Sequence, residues 1–180
     1  SLAEAKGDRN PATMKMADIA CGTGRYLRDV RHNWPGLALT GIDLSKDYLR
    51  HARTRTRGGQ KISYRQGLAE ALPLADASQD ILSCIYLFHE IPPEIRRKAA
   101  TEFFRVLKPG GSLLFMDSIQ LGDHAPYDRL LDRFPAAFHE PFYADYIRDD
   151  MTDLFRQAGF EIHTRKRAFF SNAWTMTKAN

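Results

Sequence analysis

The chain is short of the features that would set it apart from ordinary globular proteins. It holds only two cysteines in 180 residues. Cys21 lies in a glycine turn and Cys84 inside an apolar run, so a disulfide scaffold is excluded and both are read as reduced thiols. No apolar run approaches the roughly 18 residues that span a bilayer. The longest, Ile81 to Phe88, is interrupted by Ser83 and suits a buried strand, so no membrane span is expected. No leader pattern precedes the first apolar run, and with the two thiols this gives the expectation of a cytoplasmic location. Charge of one sign is also scarce, because 26 Lys and Arg against 22 Asp and Glu leave a net +4. The basic groups "RHARTRTR" (Arg50 to Arg57) and "RKR" (Arg165 to Arg167) lack interleaved aromatics, which speaks against nucleic-acid binding. With no repeat, low-complexity stretch or linker in sight, residues 1–180 read as one domain.

What is present is alternation. "MKMADIA" (Met14 to Ala20) reads as a strand, Arg25 to Asn33 as a helix stopped by "WPG", and "LALTGIDL" (Leu37 to Leu44) as a second strand. Ser45 can cap a helix with Tyr48, Leu49 and Ala52 on one face, ended by Gly58 and Gly59. "KISYRQ" is a third strand, and Asp80 to Phe88 a fourth, apolar on both faces as a central parallel strand should be. After Pro92 and Pro93 comes a helix with Ile95, Ala99, Phe103, Val106 and Leu107 inward, ended by "KPGG" and followed by the strand "SLLFMDS". From Gly122 to Phe142 the pattern fails across Pro126, Pro135 and Pro141, which predicts an irregular insertion. A last helix then carries Tyr143, Ile147, Met151, Leu154, Phe155 and Ala158 inward and stops at Gly159. "FEIHTRKRAFF" and "SNAWTMTKA" have no helix between them, which predicts an antiparallel pair. The expected fold is α/β, Rossmann-like and doubly wound, a mainly parallel seven-stranded sheet with a C-terminal antiparallel strand pair.

In such a sheet, ligands bind beyond the carboxyl ends of the strands where the strand order reverses. "DIACGTG" (Asp18 to Gly24) leads from the first strand into that region. A nicotinamide fingerprint needs a third glycine three residues after Gly24, and that position is Leu27. Asp43, ending the second strand, can accept hydrogen bonds from both ribose hydroxyls of any adenosine ligand, so it supports a nucleoside without choosing one.

Four segments in order, "DIACGTG", "GIDLS" (Gly41 to Ser45), "QGLAEALPLADASQDIL" (Gln66 to Leu82) and "FFRVLKPGGSLLFMDS" (Phe103 to Ser118), closely resemble the class I S-adenosylmethionine-dependent methyltransferases. The nearest likeness is to the small-molecule branch that includes ubiquinone and menaquinone C-methyltransferases, and it covers nearly the whole chain. The resemblance implies that S-adenosylmethionine lies along Ala20, Cys21, Gly22 and Gly24, with Asp18 near its ammonium and Asp43 on its ribose. Leu44 would face the adenine, Gly67, Leu68 and Ala69 its edge, and Tyr86 would stand beside the site. Relatives often have a segment before the first strand that covers the cofactor, and here it is expected to be missing. Two departures stand out: Ala20 where glycine is frequent, and Leu68 where aspartate commonly accepts from the adenine amino group. One lost bond of about 0.5–1.5 kcal/mol weakens binding by roughly tenfold. Glu70 nearby reads as a solvent-facing acid at a helix start.

Methyl transfer from a sulfonium needs alignment and dryness more than covalent help. His89, just past the fourth strand, is placed to take a proton from an acceptor that must lose one, and equally to serve as pocket wall. The resemblance puts substrate-covering elements after the fifth strand, so His124, Tyr127, His139 and Tyr143 join His89 as candidate acceptor contacts, with Glu140 and Tyr146 nearby. His139 and Glu140 lack the spaced partners of a metal site, so no metal is expected. The expected partner is a small-molecule acceptor. Two other readings stay open: an RNA or protein methyltransferase, and a non-catalytic S-adenosylmethionine-binding module. "FHEIPPE" lies where amino-directed nucleic-acid methyltransferases carry Asn/Asp-Pro-Pro-Tyr, which disfavours that subclass.

Overall fold

A computed structural model describes residues 2–56 and 61–179. Its strands are β1 (Lys15–Ile19), β2 (Ala38–Asp43), β3 (Ile62–Gln66), β4 (Gln79–Ile85), β5 (Leu107–Ser118), β6 (Phe160–Ala168) and β7 (Ser171–Lys178). Its helices are α1 (Leu2–Lys6), α2 (Arg25–Asn33), α3 (Lys46–Arg55), α4 (Pro93–Val106), α5 (Ala125–Phe138), α6 (Tyr143–Tyr146) and α7 (Met151–Gln157). All seven strands form one sheet in the order β3-β2-β1-β4-β5-β7-β6. β1 to β5 run parallel and β7 is antiparallel to both β5 and β6, as the strand pattern predicts. The order reverses between β1 and β4, so the crevice beyond their carboxyl ends is where a ligand is expected.

Hydrophobic layers cover both faces. One holds Phe88, Phe103, Phe115, Phe155 and Trp174, with Phe88 and Phe115 ring centres 4.8 Å apart and Phe88 stacked on Phe155 at 5.5 Å. Such ring pairs add about 0.5–1.5 kcal/mol each beyond the area they bury. They fix the 3-10 turn Phe88–Glu90, which carries His89. The other layer gathers Met16, Leu27, Leu49, Tyr64 and Ile81, and α1 adds Leu2 and Ala5 to it. The residues before β1 thus include a short helix packed on this layer.

The structure departs from the pattern in several places. Residues 122–142 are not irregular: α5 runs through them, because Pro126 sits at the helix start, where its missing N–H is not needed, and Pro135 lies in the last turn. The single last helix is two, since Asp150 accepts from the Asp153 N–H at 3.0 Å and starts α7 afresh. β4 stops at Ile85, because Tyr86 has φ 56 and the 3-10 turn follows. "KPGG" does not separate α4 from β5 but lies within β5, which follows α4 directly and whose pairing with β4 shifts register between Gln79 and Ile81. Tyr48 is 55% exposed and so does not share the buried face of Leu49 and Ala52, and in α4 the half-buried Ile95 yields the core position to Arg96. The expected stop at Gly58 and Gly59 lies outside the described residues.

Candidate active site

Two cavities open side by side at the carboxyl ends of the strands. The first, about 590 Å³, lies over β1 and β2 between Gly22, Asp43, Leu44, Leu68 and Glu90. The second, about 500 Å³, is walled by His89, Ser118, Leu131, Phe134, Tyr143 and Phe170. Tyr86 belongs to both walls. A larger cavity of about 830 Å³ lies at the opposite edge of the sheet, around Lys15, Leu37, Ile62 and Gln79. Size alone would favour it, but in a parallel sheet binding chemistry gathers at the other end.

The glycine turn divides into two functions. Gly22 has φ 52, and a Cβ there would meet no heavy atom within 4 Å, so packing does not demand glycine and the space belongs to the cavity. Gly24 has φ 70, and a Cβ there would fall 2.4 Å from the Tyr64 hydroxyl. Its lack of a side chain accommodates a tyrosine, and Gly24 stays off the cavity wall. Ala20 lines the cavity at φ 57, in the left-handed region that favours glycine. Cys21 turns away into the core beside Gly41, and burial pushes its thiol pKa far up.

Asp43 is fixed by its own turn. Its Oδ2 accepts from the Gly22 N–H and its Oδ1 from the Ser45 N–H, both at 2.8 Å. A carboxylate has about four acceptor positions, so each oxygen keeps capacity toward the cavity it lines. Asp18 is buried away from that wall, where its Oδ1 accepts from the Ser83 hydroxyl at 2.6 Å. Burial pushes its carboxyl up to about 7 against the Ser83 hydrogen bond, and Asp43 adds to the rise. Gly67, Leu68 and Ala69 follow β3 onto the wall, and Leu44 and Leu68 are 62% and 42% exposed. Glu70 is not at a helix start; it sits half-buried in a turn and lines the same cavity.

In the second cavity, His89 Nδ1 lies 2.6 Å from Asp117 Oδ1. Asp117 is fully buried at the end of β5, where it also accepts from the backbone N–H groups of Phe88 (2.8 Å) and Ser118 (2.7 Å). One carboxylate therefore holds both the turn and the imidazole. Burial lowers the His89 pKa, but the Asp117 hydrogen bond, with the charges of Asp117, Glu90 and Glu140, raises it on balance. Tyr86, Tyr143 and Tyr146 surround the imidazole with ring centres 6.2, 5.9 and 6.1 Å away. The Tyr143 hydroxyl is 2.6 Å from Ser118 Oγ. Arg96, with no exposed surface, donates to the Phe88 and Phe142 carbonyls at 2.8 Å and to Asp149 at 3.3 Å, tying the His89 turn to the α6 segment.

Of the acceptor-side candidates, His89, Tyr143 and Glu140 meet in this cavity. His124 and Tyr127 pack on each other with ring centres 4.5 Å apart, and Tyr127 does not line the cavity but packs on Phe170 of its wall at 4.6 Å. His139 caps the end of α5 at φ 55 and faces a shallow depression beside Pro135 and Pro141. Asp117 and Arg96 were missed by sequence reasoning. An acid and an arginine inside otherwise apolar patterns are the only trace they leave.

Residues 16–111 match a family described as a methyltransferase domain. The chain is 31% identical over 159 residues to the O-methyltransferase resE of Aspergillus sclerotiorum, covering 84% of this chain and 56% of that protein. It is 29% identical over 176 residues to the ubiquinone/menaquinone biosynthesis C-methyltransferase UbiE of Desulfotalea psychrophila, covering 87% and 70%. An uncharacterized protein of Haemophilus influenzae is 28% identical, and the chain spans 58% of its length. Among solved structures, a putative methyltransferase from Bacillus halodurans superposes with a TM-score of 0.76 at 18% identity, covering 100% of this chain and 99% of that one.

Proposed function

Because the chain belongs to the methyltransferase domain family, and with it to the class I S-adenosylmethionine-dependent methyltransferases, we propose that it methylates a small, largely apolar acceptor held against His89. The observation that carries this reading is the shared wall at Tyr86, which makes the strand-end cavity and the His89 cavity neighbours. When bound, S-adenosylmethionine supplies an electrophilic methyl group on a sulfonium.

The residues of the first cavity fit that cofactor. Asp43 keeps acceptor capacity for ribose hydroxyls, Gly22 leaves open space beside the turn, and Leu44 and Leu68 offer apolar surface to a purine. Glu70 takes over the acceptor role that Leu68 cannot fill. Asp18, behind the wall, favours positive charge in front of it when ionised.

In the second cavity, Asp117 keeps a proton on His89 Nδ1 and leaves Nε2 to accept one from the acceptor. An imidazole with a raised pKa is the stronger base, yet it is protonated over a wider range, so turnover rises with pH over a range displaced upward from that of a free imidazole. Leu131, Phe134 and Phe170 exclude water around it. The acceptor class these walls suit is a phenol, enol or similar ring-bearing acid, for which deprotonation by His89 precedes or accompanies methylation.

Calorimetry with S-adenosylmethionine and its demethylated product tests the first half. Asp43→Ala removes the ribose acceptor and two turn contacts, so affinity should fall by tenfold or more. Absence of binding, or equal affinity in the variant, refutes the reading. Methyl transfer to a panel of phenols and enols tests the second half, and cofactor binding with no turnover on any of them favours a non-catalytic module.

A further inference from the structure

The cavity of about 830 Å³ at the amino ends of the strands is opposite in charge to the two at the carboxyl ends. Among the described residues its wall carries Lys15, Arg31, Lys61 and Arg65 and no carboxylate, whereas Asp43, Glu70 and Glu90 line the first of the others and Glu140 the second. The fold keeps this space open. β3 leads to β4 through residues 67–78 without a helix, although a parallel crossover ordinarily lays one across the sheet face. Thr40 is paired with Ser63 and Lys15 with Ala38, so alternation puts Lys15, Thr40, Ser63 and Arg65 on one face. There Lys15, Ser63 and Arg65 stay exposed and Thr40 half-buried.

Arg31 is the unusual member of this wall. It is only 9% exposed, and two of its nitrogens donate to the backbone carbonyls of Pro35 and Lys61 while Nε has no partner among the described residues. Carbonyls satisfy N–H groups but leave the positive charge without a counter-ion, and a buried charge with no opposite charge is costly. Burial holds its pKa below the ordinary value. The acids that flank this end of the sheet are engaged by other groups: Asp80 with Lys108, Arg9 and the Lys15 backbone N–H, and Asp76 with Arg105. Among the described residues no ion pair engages Lys15, Arg31, Lys61 or Arg65. A tetrahedral oxyanion suits such a wall better than a carboxylate does, because it brings more charge to the cations and more acceptor oxygens to the N–H groups and hydroxyls.

We propose that this cavity is a second ligand site, for a phosphate group, free or carried on a small molecule, that supplies Arg31 with its counter-charge and is held beside Lys61. The test is calorimetry of the full chain at constant ionic strength with inorganic phosphate, pyrophosphate and glycerol phosphate. Pyrophosphate should bind more tightly than phosphate, because it carries more charge to the same cations. Binding of glycerol phosphate at least as tight as that of phosphate identifies a phosphorylated molecule as the ligand, and binding of the inorganic ions alone identifies the free ion. Arg31→Gln should weaken pyrophosphate on the order of tenfold or more. Since Arg31 also ties Pro35 to Lys61, the exposed Lys61→Gln provides a variant that leaves those contacts in place, and it should weaken binding severalfold. Arg129→Gln, an exposed cation on α5, should bind as the wild type does. No binding of any of the three, or equal losses from Lys61→Gln and Arg129→Gln, overturns the proposal. So does an RNA oligonucleotide that binds more tightly than pyrophosphate with a steep dependence on salt, which would make the wall a nucleic-acid surface.

Discussion

Replacing Asp18 by asparagine should stabilise the ligand-free protein on the alkaline side of neutrality and take the steepest part out of its pH dependence. Asp18 is buried, its side-chain partner is Ser83, and its carboxyl pKa is pushed from 3.8 up to about 7, chiefly by burial. Below 3.8 the folded and unfolded chains both hold this proton, and the group adds no pH dependence. Between 3.8 and about 7 the unfolded chain has released it while the folded chain retains it, so stability falls as pH rises. At about 1.4 kcal/mol per pH unit, the full penalty above that window is at most about 4 kcal/mol. Asparagine carries no charge and can accept the Ser83 bond, but its amide hydrogens need partners, which costs about 1–3 kcal/mol if they find none. The net gain at alkaline pH is therefore about 1–3 kcal/mol.

His89 acts in the same direction. Its raised pKa gives stability that is present below the unfolded value and lost as pH rises through the folded one. The wild-type curve thus contains both groups, and the difference between wild type and Asp18→Asn isolates one. Urea titrations across the acid-to-neutral range without ligand supply that difference. Equal pH slopes in the two proteins, or a variant destabilised by the same amount at every pH, would refute the reasoning. The same charge has a binding consequence. An ionised Asp18 favours the cationic cofactor, so wild-type affinity should rise with pH up to about 7 and that rise should be absent in Asp18→Asn.

Four further predictions concern the neighbouring elements. His89→Ala should lower turnover on the order of 10²-fold while leaving cofactor affinity nearly unchanged. Asp117→Asn should lower the His89 pKa and move the acidic limb of the kcat/KM profile to lower pH; an unshifted limb would mean that His89 is only pocket wall. Ala20→Gly should raise stability by about 1 kcal/mol, because φ 57 is strained for alanine. Gly24→Ala should cost about 1–3 kcal/mol and recover partly in combination with Tyr64→Phe, which removes the hydroxyl that a Cβ would strike. Thermal melts of the set check both, and full additivity of the last pair would disprove the clash.

The sheet was legible in the sequence because each of its strands is announced by composition: β1 and β4 by apolar runs, β6 and β7 by two runs with no helix between them. Asp43 was legible because a strand-end acid before a capping serine is a local signal, and its bonds to Gly22 and Ser45 are local consequences. α5 was not, since prolines weigh as breakers in sequence while their cost depends on position within the helix. Nor was the difference between Gly22 and Gly24, which depends on Tyr64 arriving from a strand forty residues later in the chain.

Asp117 shows why the acceptor side resists reading from sequence more than the cofactor side does. On the proposed cofactor side, the glycine turn and the acid that holds it lie at consecutive strand ends. On the acceptor side, the carboxylate on β5 and the imidazole after β4 meet only because those strands are paired in register, with Ile85 beside Met116. The pairing brings Asp117 next to the backbone of Phe88, whose ring is locked among Phe103, Phe115 and Phe155. Core packing thereby sets the direction of the catalytic candidate, and a cavity-forming change such as Phe155→Ala would reach His89 through Phe88 without touching the site. Turnover falling more than cofactor affinity in that variant would be the sign of such coupling.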